Sequence, residues 1–168
     1  MSTEQEREDL VAMLADQREL FRITLRGIDD ELASRRTTTS ELTLGGLLHH
    51  LISCERHWTA VIVERDEHAE LDLAEFEGEY VMAADETVAG LLATWDEVAA
   101  ATAELIRSVK SLDTSIPTPT TPWTPDRIWQ SVRYTVLHIL REIAHHSGHA
   151  DFIREALDGA STTHQRAS

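Results

Sequence analysis

Four stretches of this chain carry apolar residues at three- and four-residue steps, a period that restricts the fold to packed amphipathic helices. Over residues 3–30 the stripe is Leu10, Met13/Leu14, Gln17, Leu20/Phe21, Thr24/Leu25 and Ile28, with charged residues between. Over 44–66 it is Leu44, Leu47, Leu51, Cys54, Trp58 and Val61/Ile62, and Thr43 is the expected N-cap. Gly45 and Gly46 fall in that helix's first turn, where they cost little and let another backbone come close. A third helix, capped by Asp85 and running to 110, carries Val88, Leu91/Leu92, Trp95, Val98/Ala99, Thr102, Leu105/Ile106 and Val109. The fourth is expected from Thr124 as N-cap and Pro125 as first helical residue to Leu157, with Gly159 closing it. Its stripe is Trp129, Val132, Val136, Ile139/Leu140, Ile143, Ala150 and Leu157. No segment reads as a strand.

The breaks between these stretches are as informative. TTTSELTLGG precedes the second helix, and a long polar connection covers 67–84. SLDTSIPTPTTPWTP follows the third, with four prolines within nine residues, which excludes a helix interior or a central strand there. An all-α four-helix bundle is the expected architecture, and the long connections allow a crossover. Residues 1–160 are expected to form this one domain, with 161–168 a flexible tail. A chain of 168 residues can bury such a core without cross-links.

Charge narrows the function. With 30 acidic and 15 basic residues the net charge is −15, and a nucleic-acid backbone would be repelled. No apolar run is long enough to span a membrane, and the polar, acidic start MSTEQEREDL does not read as a targeting signal, so a cytoplasmic location is expected. Cys54 is the single cysteine; no disulfide within the chain and no CxxC zinc knuckle can form.

Most of the nine histidines fall in two stretches, 49–57 and 138–149. At about 100° per residue, His50 lies at the edge of the second helix's apolar stripe, whereas His49 points away from it and is expected to be solvated. On the fourth helix Glu142 and His146 stack at i and i+4 on the stripe's edge, extended by His138 one turn earlier and His149 one turn later. His145 lies farther round. Two ligands from one helix and one from its neighbour are a recurrent way to build a metal site in a bundle. His50, Glu142 and His146 are the candidate ligands, a set that suits zinc, iron(II), nickel or manganese and leaves a coordination position open. His149 and His138 are candidates to orient groups or shuttle protons in catalysis. On this reading metal is lost as pH falls through about 6. The bland alternatives are half-buried histidines, a surface Glu–His pair, Cys54 as a small core residue and the four tryptophans as core or loop-anchoring aromatics.

LGGLLHHLISCERHW and EIAHHSGHADFIREALDG resemble the DinB-like superfamily of damage-inducible and YfiT-like bundle proteins. The resemblance spans roughly 8–159 and is to the actinobacterial branch akin to the N-terminal domain of mycothiol-dependent maleylpyruvate isomerase; the isomerase's additional C-terminal domain is not expected here, so isomerase activity itself is not expected. In such families a histidine before leucine on the second helix is a metal ligand; that position is His50, followed by Leu51. His146 and Glu142 match the two ligand positions four apart on the last helix, the isomerase branch resembling this chain in the glutamate. An alternative register pairs His145 with His149. The resemblance implies a bundle with a crossover, one zinc or nickel ion, a homodimer and a mycothiol- or bacillithiol-type thiol as cosubstrate. The expected function is metal-dependent transfer of such a thiol, or activated water, to a small molecule. The rivals are a non-catalytic metal-binding stress-response protein and a helical interaction module without metal.

Overall fold

The computed structural model describes residues 3–71 and 78–166. Part of the expected 67–84 connection and the two ends of the chain thus lie outside the described residues. The order is α1 (Glu4–Ile23), α2 (Asp30–Ala33), α3 (Leu44–Glu64), α4 (Val88–Ser108), β1 (Ser115–Pro117), β2 (Trp129–Ser131), α5 (Val132–Asp158) and α6 (Thr162–Arg166). α3 packs mainly on α4 and α5, and so does α1, so α1 faces α3 across the diagonal of the bundle. The all-α bundle is as expected. No helix among the described residues is long and apolar enough to cross a membrane.

Caps set the helix bounds. The Thr43 side chain accepts from Gly46 N at 3.0 Å and opens α3 as predicted. Gly159, at φ 77°, closes α5. Three boundaries differ from expectation. α1 ends at Ile23, followed by a turn with Gly27 at φ 72°, after which Asp29 caps the four-residue α2. Arg154 donates to the Thr24 and Arg26 carbonyls in that turn, satisfying acceptors that a continuing helix would have used. α4 is capped by Thr87 rather than Asp85. α5 starts at Val132 on a Ser131 cap rather than at Thr124, because 129–131 instead pairs antiparallel with 115–117. The absence of strands was therefore an incorrect expectation. Pro117 is tolerated because both strands of this ribbon are edges. Past Gly159, where a tail is expected, α6 lies against α1, and Thr162 bonds Asp151.

The two long connections join each other. Leu71 N donates to Thr120 O at 2.9 Å, Thr120 N to Ala69 O at 3.2 Å, and Arg127 bonds both the Ala69 and Thr118 carbonyls. The α3–α4 connection also presses onto α3. A Cβ on Gly46 would run into the Tyr80 carbonyl, and one on Gly45 into the Met82 side chain. Gly46→Ala is therefore expected to destabilise the fold by about 1–3 kcal/mol, as overpacking against rigid backbone does. Urea denaturation reads this directly; an unchanged midpoint would mean that 78–82 does not hold this position.

At the bundle's centre the Glu55 carboxylate, 0% exposed, takes four hydrogen bonds. Arg18 of α1 gives two, at 3.1 and 2.6 Å; Trp95 Nε1 and Thr102 Oγ1 of α4 give the others, at 3.0 and 2.6 Å. The charge pair spans the diagonal, and every lone pair it would otherwise waste has a donor.

Candidate metal centre

α3 carries His50 on its second turn and α5 carries Glu142 and His146 one turn apart, and these two helices are neighbours. One ligand atom from each of the three residues lies within 4.8 Å of the others. His50 and His146 are buried, with ring centroids 4.7 Å apart at 73°, and His146 Nε2 is 3.7 Å from Glu142 Oε2. His145 is exposed, with its ring 4.5 Å from that of His149, and neither belongs to the converging group of His50, Glu142 and His146. Bonds of about 2.0–2.2 Å to a shared cation would need a contraction of about an ångström, within the reach of side-chain rotation.

The surroundings fit a cation. His50 Nδ1 is buried without a hydrogen-bond partner among the described residues, and the nearby Glu79 Oε1 lies 3.2 Å from it, out of line. Two imidazoles and one carboxylate make a donor set for a divalent transition ion. Arg141 Nη2 donates to His138 Nδ1 at 2.6 Å, so the His138 proton sits on Nε2, 3.7 Å from Glu142 Oε1. Arg141 also bonds Glu142 Oε1 at 3.1 Å. His149 Nδ1 lies 3.2 Å from His146 Nδ1, behind the ligand. Of the two candidates for proton handling, His138 thus lines the pocket beside the site, and His149 contacts the far nitrogen of His146.

That pocket measures about 470 Å³ and opens over His50, Cys54, Glu79 and Glu142. Trp58 and Tyr134 contribute from the helices, and Leu71, Trp123 and Ile128 from the two joined connections. Its volume is that of a small-molecule site. Trp129 is exposed and lies in β2, a correction to its place on the fourth helix's apolar stripe; Trp123, in the α4–α5 connection, is 70% exposed, and Trp95 is fully buried. His49 is half-buried rather than solvated, with Nδ1 2.9 Å from both Glu86 oxygens. The Cys54 thiol, at the pocket's edge, is pushed up to about 12 by burial and by the charges of Glu142, Glu79 and Glu55.

Sequence reasoning missed Glu79, Tyr80 and Arg141. Tyr80 stacks on His50 with centroids 4.2 Å apart and an interplanar angle of 22°. Its phenol is raised above the usual value by burial, then by Glu79 and Glu142. The Gly45-Gly46 pair signalled a close backbone approach, yet nothing in the pattern said which backbone.

Burial first, and then the charge of His50, lowers the His146 pKa to about 4. Burial also lowers His138 and His149. The sign follows: with the folded pKa below the ordinary 6.5, the unfolded chain takes up these protons first. Stability of the metal-free protein is complete above about 6.5 and falls as pH drops toward 4. Thermal melts of metal-free protein between pH 7 and 4.5 should show this loss, and His146→Gln should flatten it; equal slopes would contradict the burial of a neutral imidazole.

A family model described as mycothiol-S-transferase matches residues 9–159. No curated protein and no solved structure matches the chain.

Proposed function

The chain belongs to the mycothiol-S-transferase family, and from that premise we propose that it is a metal-dependent enzyme joining a mycothiol-type thiol to a small electrophile. The observation that carries the reading is the convergence of His50, Glu142 and His146 beside an open pocket of small-molecule size. These three residues would hold one divalent ion, zinc or nickel. When bound, such an ion supplies Lewis acidity that lowers the pKa of a thiol, making a thiolate available near neutral pH.

The chain's own residues do the rest. Trp58, Leu71 and Ile128 offer an apolar wall that holds the body of the electrophile and excludes water. His138, its Nδ1 engaged by Arg141, points its Nε2 proton at Glu142 and orients that carboxylate. His149 accepts from His146 Nδ1 and leaves His146 Nε2 to face Glu142. With a chlorinated aromatic electrophile the new bond runs from thiol sulfur to the ring carbon, the C–Cl bond breaks, and chloride and the thiol proton leave through the pocket mouth. A cytoplasmic setting, where thiols stay reduced, suits this chemistry, and a homodimer belongs to the same proposal.

The test has two parts. Protein purified without chelator should contain close to one equivalent of zinc or nickel, or take it up on addition. The metal-loaded protein should accelerate consumption of mycothiol by a chlorinated aromatic electrophile. Absence of metal uptake would end the metal reading; uptake without thiol transfer would leave a metal-binding protein that is not this enzyme.

A further inference from the structure

A segment from outside the two site helices reaches the site. Residues 78–82 pass over the first turn of α3 where Gly46 leaves no Cβ in the way of the Tyr80 carbonyl. This close approach lays the Tyr80 ring flat on His50. It also brings Glu79 to the site, with its side chain largely buried and Oε1 3.2 Å from His50 Nδ1.

Of the two neighbours of His50, Glu79 bears on its tautomer. The Tyr80 ring covers the face of His50, its oxygen 3.4 Å from Nε2. A carboxylate at Glu79 accepts, so the ring proton belongs on Nδ1. Among the described residues Nδ1 has no other acceptor, and at 3.2 Å the Glu79 oxygen lies within reach but out of line. A small rotation of the carboxylate closes the bond. Metal-ligating histidines are commonly oriented by such an acceptor on the far nitrogen.

We propose that Glu79 is a positioning residue, whose carboxylate holds the proton on His50 Nδ1 and so presents the Nε2 lone pair to the cation. This rests on the reading of His50 as a ligand. It adds a residue from the α3–α4 connection, so that the seating of 78–82 on Gly46 couples that connection to metal affinity.

Zinc affinity, measured by competition with a chromophoric chelator, should weaken by about 10- to 100-fold in Glu79→Ala. Glu79→Gln, whose amide oxygen still accepts from N–H, should recover most of the loss. Nitrogen NMR of the metal-free protein supplies a readout independent of zinc: His50 should be protonated at Nδ1 in the parent and shift toward Nε2 protonation in Glu79→Ala. Parent-like zinc affinity and an unchanged tautomer in Glu79→Ala would overturn the inference. So would a Gln variant as weak as the Ala variant, which would mark the carboxylate as a ligand itself. A parent that takes up no zinc while keeping the Glu79-dependent tautomer would sink the metal reading and spare the positioning role.

Discussion

His146→Ala protein is expected to bind zinc more than about 100-fold more weakly than the parent, because losing a ligand exceeds the 10- to 100-fold cost of losing its support. Metal-dependent thiol transfer should fall with it at limiting zinc. The substitution removes one of three converging donors and leaves His50 and Glu142, too few to enclose an ion. His145→Ala is the matching control. His145 is exposed on the same turn, so its variant should keep parent metal content. The pair decides the register: if His145→Ala empties the protein while His146→Ala stays loaded, the assignment of ligands on α5 is wrong. Calorimetric titration of both metal-free variants with zinc gives the answer without any substrate in hand.

The second large effect lies away from the site. Glu55→Ala should destabilise the protein by about 3–5 kcal/mol, the cost of stranding one partner of a buried ion pair. Arg18 would remain 6% exposed with no counter-charge, and Trp95 Nε1 would lose its acceptor. Thr102 keeps a bond to the Val98 carbonyl and suffers less. At about 2–4 °C per kcal/mol for a domain of this size, the melting point should drop by about 10 °C. The loss belongs to the stranded charge rather than to the pair. Replacing both partners, Arg18→Met with Glu55→Leu, should therefore cost clearly less than Glu55→Ala alone. A double variant at least as unstable as the single would show instead that the charge pair itself holds α1 to α3 across the diagonal.

Much of this molecule is legible from local pattern. The stripes of α3, α4 and α5 announce the bundle because a helix must bury one face, and the period of that face is written in the order of residues. Thr43 and Gly159 declare their caps through short-range chemistry alone. The inward rotation of His50, Glu142 and His146 follows from the same periodicity. The start of α5 was misplaced because Thr124-Pro125 and Ser131 are both competent starts. Only the partner strand at 115–117, which takes up the hydrogen bonds of 129–131, decides between them. Glu55 reads as a surface glutamate until Arg18, Trp95 and Thr102, drawn from two other helices, are seen around it.

The order of residues alone determined four amphipathic helices, a strongly acidic exterior and a histidine-rich row on each of two of those helices. Tertiary structure alone decided that those rows face each other, that two connections join to wall a pocket, and that Glu79 and Tyr80 lie on His50. The division has one physical cause. Periodicity and capping act within a turn or two of the chain, whereas an ion site and its pocket are made by contacts between segments about a hundred residues apart. Their register depends on how whole helices pack, and a single sequence read locally carries no direct record of it.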